Sequence, residues 1–331
     1  MLKVAIVGAG NIGNTHARCY HDNADTQLVA ACDLDPVKAD AMSQKYGLKS
    51  YSDVAQMLRE EELDAISIST GGLENGSHHF EPAMLAMEAG IPVLCEKPIS
   101  NNIIEARQMV AKSREKKVPL GINLNHRFTP AAARLKTMQQ NGELGATLFI
   151  NMALWFNNPN DPPPYHHIRA LHPHSIDVMR FFGGDIKRVQ CFMLRAPGKT
   201  QSWSTLSLNV QFASGAVGCL TGSQDMSWVH PIERCEVGTE KGRAEIENVY
   251  QRLTWMPRDK PEKQVWENGI MSGMSQFDDT FIHRIATFVR EIKNGEPLTA
   301  SGEDGLAAQE VIEAAIRSHE NGTIEDVTTN G

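Results

Sequence analysis

The sequence predicts two parts: an α/β domain on a parallel sheet over residues 1–123, and an α+β domain with a large, mainly antiparallel open sheet over residues 124–331. Three observations carry this. Short runs of apolar and β-branched residues alternate with helical patterns through the first third of the chain. A glycine-rich turn, Gly8-Ala9-Gly10-Asn11-Ile12-Gly13, joins the first such run to the first helix. From about Gly145 the pattern changes to alternating strands with few helices between them. At 331 residues the chain is also long for a single core.

In the first part, the strand beginning at Leu2 runs into the glycine turn and a helix from roughly Asn11 to Asp22. Leu28 to Cys32 is the second strand. Asp35 caps a helix over Val37 to Tyr46, with Pro36 at its start. Ser52 caps Asp53 to Glu60. Leu63 to Ser69 is a buried strand followed by Thr70-Gly71-Gly72. His79 to Ala89 is helical and stops at Gly90. Ile91 to Cys95 is a strand leading into Glu96-Lys97-Pro98. A helix over Asn102 to Lys116 and a short strand, Pro119 to Asn123, complete the part. Such a succession makes a parallel sheet covered on both faces, with ligands at the carboxyl ends of its strands. Gly8, Asp33, Thr70, Glu96, Lys97 and Asn123 all fall at those ends.

In the second part, Ala131 to Gln140 is a helix. Strands follow at Thr147 to Trp155, Lys187 to Leu194, Thr205 to Phe212, Ala216 to Gly222, Glu233 to Gly238 and Gly242 to Glu247. One helix interrupts them. Pro173 suits a first turn, so this helix starts at His174, runs to Phe182 and ends at Gly183-Gly184. Asn157 to Tyr165, with four prolines, is a loop or lid over the sheet edge. A long closing helix over residues 303–321 has one apolar stripe, including Leu306, Val311 and Ala315.

The chemistry follows from these positions. Gly8, Gly10 and Gly13 fit the G-x-G-x-x-G fingerprint of a Rossmann domain: a tight turn, close approach to a pyrophosphate, and close helix–strand packing. The helix start at Asn11 and Ile12 offers backbone N–H groups to phosphate. Asp33, 20 residues after Gly13, is placed to bind both ribose hydroxyls of an adenosine. Its charge repels a 2′-phosphate, and Leu34 and Asp35 supply no cation, so NAD is expected over NADP. Lys97 faces the same crevice, where an ammonium can stabilise an alkoxide; on that tripeptide alone, a surface lysine in a proline turn is equally available. His174 is a candidate general base, with Asp177 one turn later, and a capping or core histidine is the competing reading. His166, His167, His172 and His174 have no known ligand spacing, so the expectation is a polar sugar pocket with Trp155, Phe156 and Tyr165, and no metal. Arg127 stands at the domain junction, able to meet substrate or to bridge domains, the bridging role being favoured.

Composition sets bounds. Hydrophobic content of 41% and charged content of 22% are those of a globular protein. A net charge of −8 without a basic cluster argues against nucleic acid. No apolar run approaches the roughly 18 residues of a membrane span, and the first residues read as strand rather than signal peptide. Cys19, Cys32, Cys95, Cys191, Cys219 and Cys235 lie far apart with no C-x-x-C pair, which suits reduced thiols in a cytoplasmic enzyme.

Taken together, VGAGNIG, Asp33, HHFEPAMLAMEAGIPVLCEKPIS, the NHRF segment, the H-x-x-D helix at His174 and Asp177, and SGEDGLAAQEVIEAAIRS resemble the glucose-fructose oxidoreductase/inositol dehydrogenase (Gfo/Idh/MocA) family over nearly the whole chain. The resemblance implies an NAD-dependent dehydrogenase acting on a ring hydroxyl of a sugar, glycoside or inositol, or on the keto form. Lys97 and His174 are then catalytic, with Lys97 polarising the oxygen and His174 accepting the proton. The cofactor set is Gly8, Gly10, Asn11, Ile12, Gly13, Asp33, Thr70, His79, Glu96, Lys97 and Asn125. The substrate set is Lys97, Arg127, Trp155, His166, His172, His174 and Asp177. The resemblance also implies a homo-oligomer, dimer or tetramer. Two departures stand out. Many relatives carry an aspartate four residues before the histidine, where this chain has Ala170; His172, Asp177 or His166 are the candidate substitutes. Thr70-Gly71-Gly72 and a longer segment through Asn75 replace the usual loop. Competing functions are bond cleavage or epimerisation through transient oxidation, and a non-catalytic NAD or sugar sensor.

Overall fold

The computed structural model describes residues 1–72, 78–249, 251–267 and 279–328; the loop through Asn75 lies outside them. The chain forms two compact units, one of residues 1–124 and 281–309, the other of residues 125–280 and 310–331.

The first unit is a doubly wound α/β fold. Its strands are β1 (Leu2–Val7), β2 (Thr26–Cys32), β3 (Lys49–Tyr51), β4 (Ala65–Ile68), β5 (Val93–Cys95) and β6 (Leu120–Ile122). All are parallel, in the order β3-β2-β1-β4-β5-β6. The connecting helices are α1 (Asn11–His21), α2 (Pro36–Tyr46), α3 (Val54–Glu60), α4 (Phe80–Glu88) and α5 (Ile103–Lys116). Strands β4, β5 and β6 are buried along their whole length, as strands covered on both faces must be. The strand order turns back between β1 and β4, where such sheets open a ligand crevice. Asp35 caps α2 by accepting from the Val37 N–H at 3.1 Å. Asp53, rather than Ser52, caps α3 and accepts from the Ala55 N–H at 3.0 Å. Aspartate is the stronger acceptor, and it stands one residue nearer the helix.

The sequence division assigned everything after residue 123 to the second domain; the structure returns residues 281–309 to the first. The reason is a helix running from Asp279 to Asn294, whose Phe281, Ile285, Phe288 and Val289 line one face and enter the core of Val4, Ile6, Tyr20 and Leu94. Within it, Arg284 is fully buried and donates to the carbonyls of Ile122 and Ala300, both at 3.0 Å.

The second unit begins with a 3₁₀ turn, Asn125–Phe128, and α6 (Pro130–Gln140). Its strands are β7 (Thr147–Trp155), β8 (Ile186–Leu194), β9 (Thr205–Phe212), β10 (Val217–Ser223), β11 (Glu233–Thr239), β12 (Gly242–Glu247), β13 (Arg252–Pro257), β14 (Gln264–Glu267) and the short β15 (Glu325–Asp326). They form one nine-stranded sheet in the order β14-β13-β12-β11-β7-β10-β9-β8-β15, antiparallel throughout except where β7 lies parallel to β10. The helix α7 (His166–Gly183) packs on β7, β10 and the 3₁₀ turn. It starts eight residues before His174, so Pro173 sits inside it rather than in its first turn. Burial of His167, Ile168, Ala170, Ile176 and Met179 outweighs the backbone hydrogen bond that Pro173 forgoes. The helix in the first unit is α8 (Asp279–Asn294), and α9 (Gly302–Asn321) follows it. Of the six cysteines, five are buried and Cys219 is half-buried. Among the described residues no helix is long and apolar enough to cross a membrane.

Candidate active site

In the first unit the fingerprint glycines serve three separate needs. Gly8 has φ +93°, and a Cβ there would lie 2.7 Å from the Ser69 carbonyl carbon. A Cβ on Gly13 would lie 1.8 Å from the Gly8 oxygen. Both are therefore fixed by the protein's own backbone. Gly10 differs: its φ is −74° and nothing stands within 4 Å of a Cβ there. Among the described residues nothing demands glycine at position 10, and the space there suits a ligand. Gly10, Asn11 and Ile12 are exposed, and no side chain caps α1. Its first N–H groups and its positive dipole end thus suit a pyrophosphate. Asp33 lies at the end of β2. Its Oδ2 accepts from the Ala9 N–H at 2.7 Å and its Oδ1 from the Asp35 N–H at 2.9 Å. Each oxygen keeps a lone pair for a ribose hydroxyl. These residues fit a bound dinucleotide.

Thr70 follows β4, its hydroxyl donating to the His78 carbonyl at 3.0 Å. The ring of His79 is buried between the Thr70 and Pro98 carbonyls, at 2.9 Å from each. Burial pulls its pKa below the usual value, and the two carbonyl contacts oppose the fall. Glu96 is buried at the end of β5. Its Oε1 meets His16 Nε2 at 3.0 Å and accepts from Asn123 Nδ2, while His16 Nδ1 meets Ser67 Oγ at 2.8 Å. Burial alone would raise the Glu96 carboxyl; His16, Lys97 and Asn123 together overcome it and hold the pKa below its usual value. Lys97, half-buried, follows with a cis bond to Pro98. Burial lowers its ammonium pKa, and the neighbouring Glu96 charge opposes the fall. His16 and Ser67 were not anticipated. His16 sits three residues after Gly13 on α1, a spacing that turns it toward the sheet.

In the second unit the expected residues separate into distinct roles. Arg127 is buried and grips Asp177 in a bidentate pair, Nε to Oδ2 at 2.8 Å and Nη2 to Oδ1. Asp177 is therefore a partner of Arg127. His172 is fully buried, with Nδ1 3.1 Å from Ser175 Oγ and Nε2 3.1 Å from His167 Nε2. Burial lowers its pKa to about 3 and takes His167 well below its usual value, so both rings are neutral. Gly222 leaves them room: a Cβ there would lie 2.2 Å from His172 Nε2. His166 is half-buried at the first residue of α7. Asn125 donates from Nδ2 to Thr280 Oγ1 at 2.7 Å. Trp155 ends β7 and lines an open cleft of about 490 Å³ with Met226, His230, Glu233, Arg234 and Glu247. Phe156 is buried behind it, and the Tyr165 hydroxyl donates to Glu320 at 2.6 Å.

His174 stacks face to face on His126, with ring centroids 4.1 Å apart and planes 3° apart. His126 Nδ1 lies 2.9 Å from Glu233 Oε2, and both side chains are buried. Sequence reading passed over His126 and Glu233. The two are 107 residues apart, and neither carries a local signal.

Comparison with known proteins identifies the family. Residues 2–124 match the oxidoreductase family with an NAD-binding Rossmann fold, and residues 132–245 match the GFO/IDH/MocA C-terminal domain. A myo-inositol 2-dehydrogenase from Thermotoga maritima is 25% identical over 96% of both chains. A D-apiose dehydrogenase from Paraburkholderia graminis is 25% identical over 98% of this chain and 89% of its own. A levoglucosan dehydrogenase solved with NADH and L-sorbose superposes with a TM-score of 0.88 over 99% of both chains at 20% identity, a likeness of fold. The chain belongs to the Gfo/Idh/MocA family of NAD-binding oxidoreductases.

Proposed function

We propose that this protein oxidises a ring hydroxyl of a sugar, glycoside or inositol, or reduces the matching ketone, with NAD. Gly8, Gly10, Asn11, Ile12, Gly13 and Asp33 hold the dinucleotide, which when bound supplies the hydride acceptor. Lys97 donates a hydrogen bond to the hydroxyl oxygen and stabilises its alkoxide character. His174 accepts the hydroxyl proton. The observation that carries this reading is the Lys97 ammonium at the carboxyl end of β5. Burial lowers its pKa and the Glu96 charge beside it opposes the fall, and an ammonium at this place is a hydrogen-bond donor toward a developing oxyanion. The names of full-length relatives, for inositol and apiose, support the substrate class. The outer face of the nine-stranded sheet exposes Phe192, Leu194 and Val217, which supports self-association.

The test is incubation with NAD and a panel of inositols, glucosides and pentoses, following NADH absorbance. Lys97→Met and His174→Asn should each lower kcat about 10³-fold while NAD affinity changes less than about threefold. A protein that binds NAD yet oxidises no member of the panel, and reduces none of the ketones, refutes the proposal.

A further inference from the structure

We propose that Glu233 and His126 act as a positioning pair for His174. The Glu233 carboxylate holds His126 as the neutral Nδ1–H tautomer, and the His126 ring, stacked on His174, supports the imidazolium that His174 becomes on taking a proton. This deepens the reading above and rests on its assignment of His174 as proton acceptor.

Two observations carry the inference. The rings are parallel within 3° at 4.1 Å, so positive charge on both at once is strongly disfavoured and at most one is protonated at a time. Glu233, only 4% exposed, lies 2.9 Å from His126 Nδ1. A carboxylate can only accept, so Nδ1 carries the hydrogen. With Nε2 unprotonated, the pair carries one negative charge, which favours the positive form of the ring stacked on it. On α7 the residue one turn before His174 is Ala170, and one turn after it Asp177 accepts from Arg127 at two points. His167 and His172, on the same helix, are neutral. Strands β7 and β10, packed against α7, hold no charged residue and Cys219 as their one titratable side chain. Asp279 adjoins Thr280, the partner of Asn125 on the 3₁₀ turn. Arg234, Glu247 and His230 line the cleft beside Glu233.

The experiment is an NMR titration of the full chain carrying ¹⁵N-labelled histidine, with ring signals assigned through His126→Asn and His174→Asn. In the wild type, His126 should be neutral with its proton on Nδ1 at about pH 8. In Glu233→Gln, the His174 midpoint should move down by about one pH unit, and Glu233→Asp should restore most of the shift. The acid limb of kcat/KM should move with it. An unmoved or raised His174 midpoint overturns the inference. So does a wild-type His126 found as imidazolium at that pH, a measurement that needs no variant to fold. If no polyol is oxidised but the midpoint falls as expected, the pair stands and the dehydrogenase reading fails.

Discussion

The division of labour among the fingerprint glycines can be tested by adding one methyl group at two positions. At Gly13 the new Cβ would stand 1.8 Å from the Gly8 oxygen, where ordinary contact begins near 3.4 Å. The start of α1 must therefore move off β1 by about 1.6 Å, against a fully packed sheet, at a cost of about 3 kcal/mol. For a unit of this size, that lowers the melting temperature by roughly 6–12 °C. At Gly10 the backbone is already compatible with alanine and the space is empty, so Gly10→Ala should leave stability unchanged or raise it by about 0.5 kcal/mol. The same methyl group stands where a pyrophosphate must approach, and should weaken NAD binding by about 1–3 kcal/mol, roughly 5- to 150-fold. Melting curves without cofactor and calorimetric titration with NAD separate the two effects. A Gly10→Ala protein that binds NAD as tightly as the wild type would show that the open space has another cause.

Two further outcomes follow from buried groups. His172, with its pKa lowered by burial to about 3, and His167, well below 6.5, stay neutral in the folded chain, whereas an unfolded chain takes up their protons as pH falls below about 6.5. Their contribution to stability is thus complete above that pH and declines below it, by about 1.4 kcal/mol per pH unit for each ring. Urea unfolding should lose about 2–3 kcal/mol between about pH 6.5 and 5.5, and His172→Gln should flatten the slope; a slope unchanged in that variant contradicts the account. Arg127→Ala strands the buried Asp177 carboxylate and should cost about 3–5 kcal/mol in chemical denaturation. Adding Asp177→Asn should recover much of that loss, and a double variant no better than the single one would show that the pair's charge is not the issue.

The parallel sheet was legible because its signals are local. β1 runs into Gly8, β2 into Asp33 and β5 into the Glu96-Lys97-Pro98 turn, and the strand edges of β7, β9 and β12 follow directly from alternation. Pro173 misled because a proline at a helix start and one inside a helix look alike in sequence; only burial of the preceding turns decides. The face of α8 carries a readable apolar period, but its destination, the core of strands some 280 residues earlier, is a tertiary fact. The residues proposed for function divide the same way. Gly10, Asp33, Lys97 and His174 announce themselves by motif. Glu233 is one glutamate opening a strand, and its meaning comes from an imidazole that the chain brings to it from residue 126.

The placement of α8 has a consequence for biosynthesis. A ribosome making this chain releases Val4, Ile6, Tyr20 and Leu94 early, yet the side chains that seal them, Phe281 to Val289, are encoded after the intervening residues 125–280. At about 5–20 residues per second, that interval lasts roughly 8–31 s, during which an apolar wall stands open to water. The nascent first unit must spend that time shielded by a chaperone or in a loosened state, and its closure waits until α8 has been made.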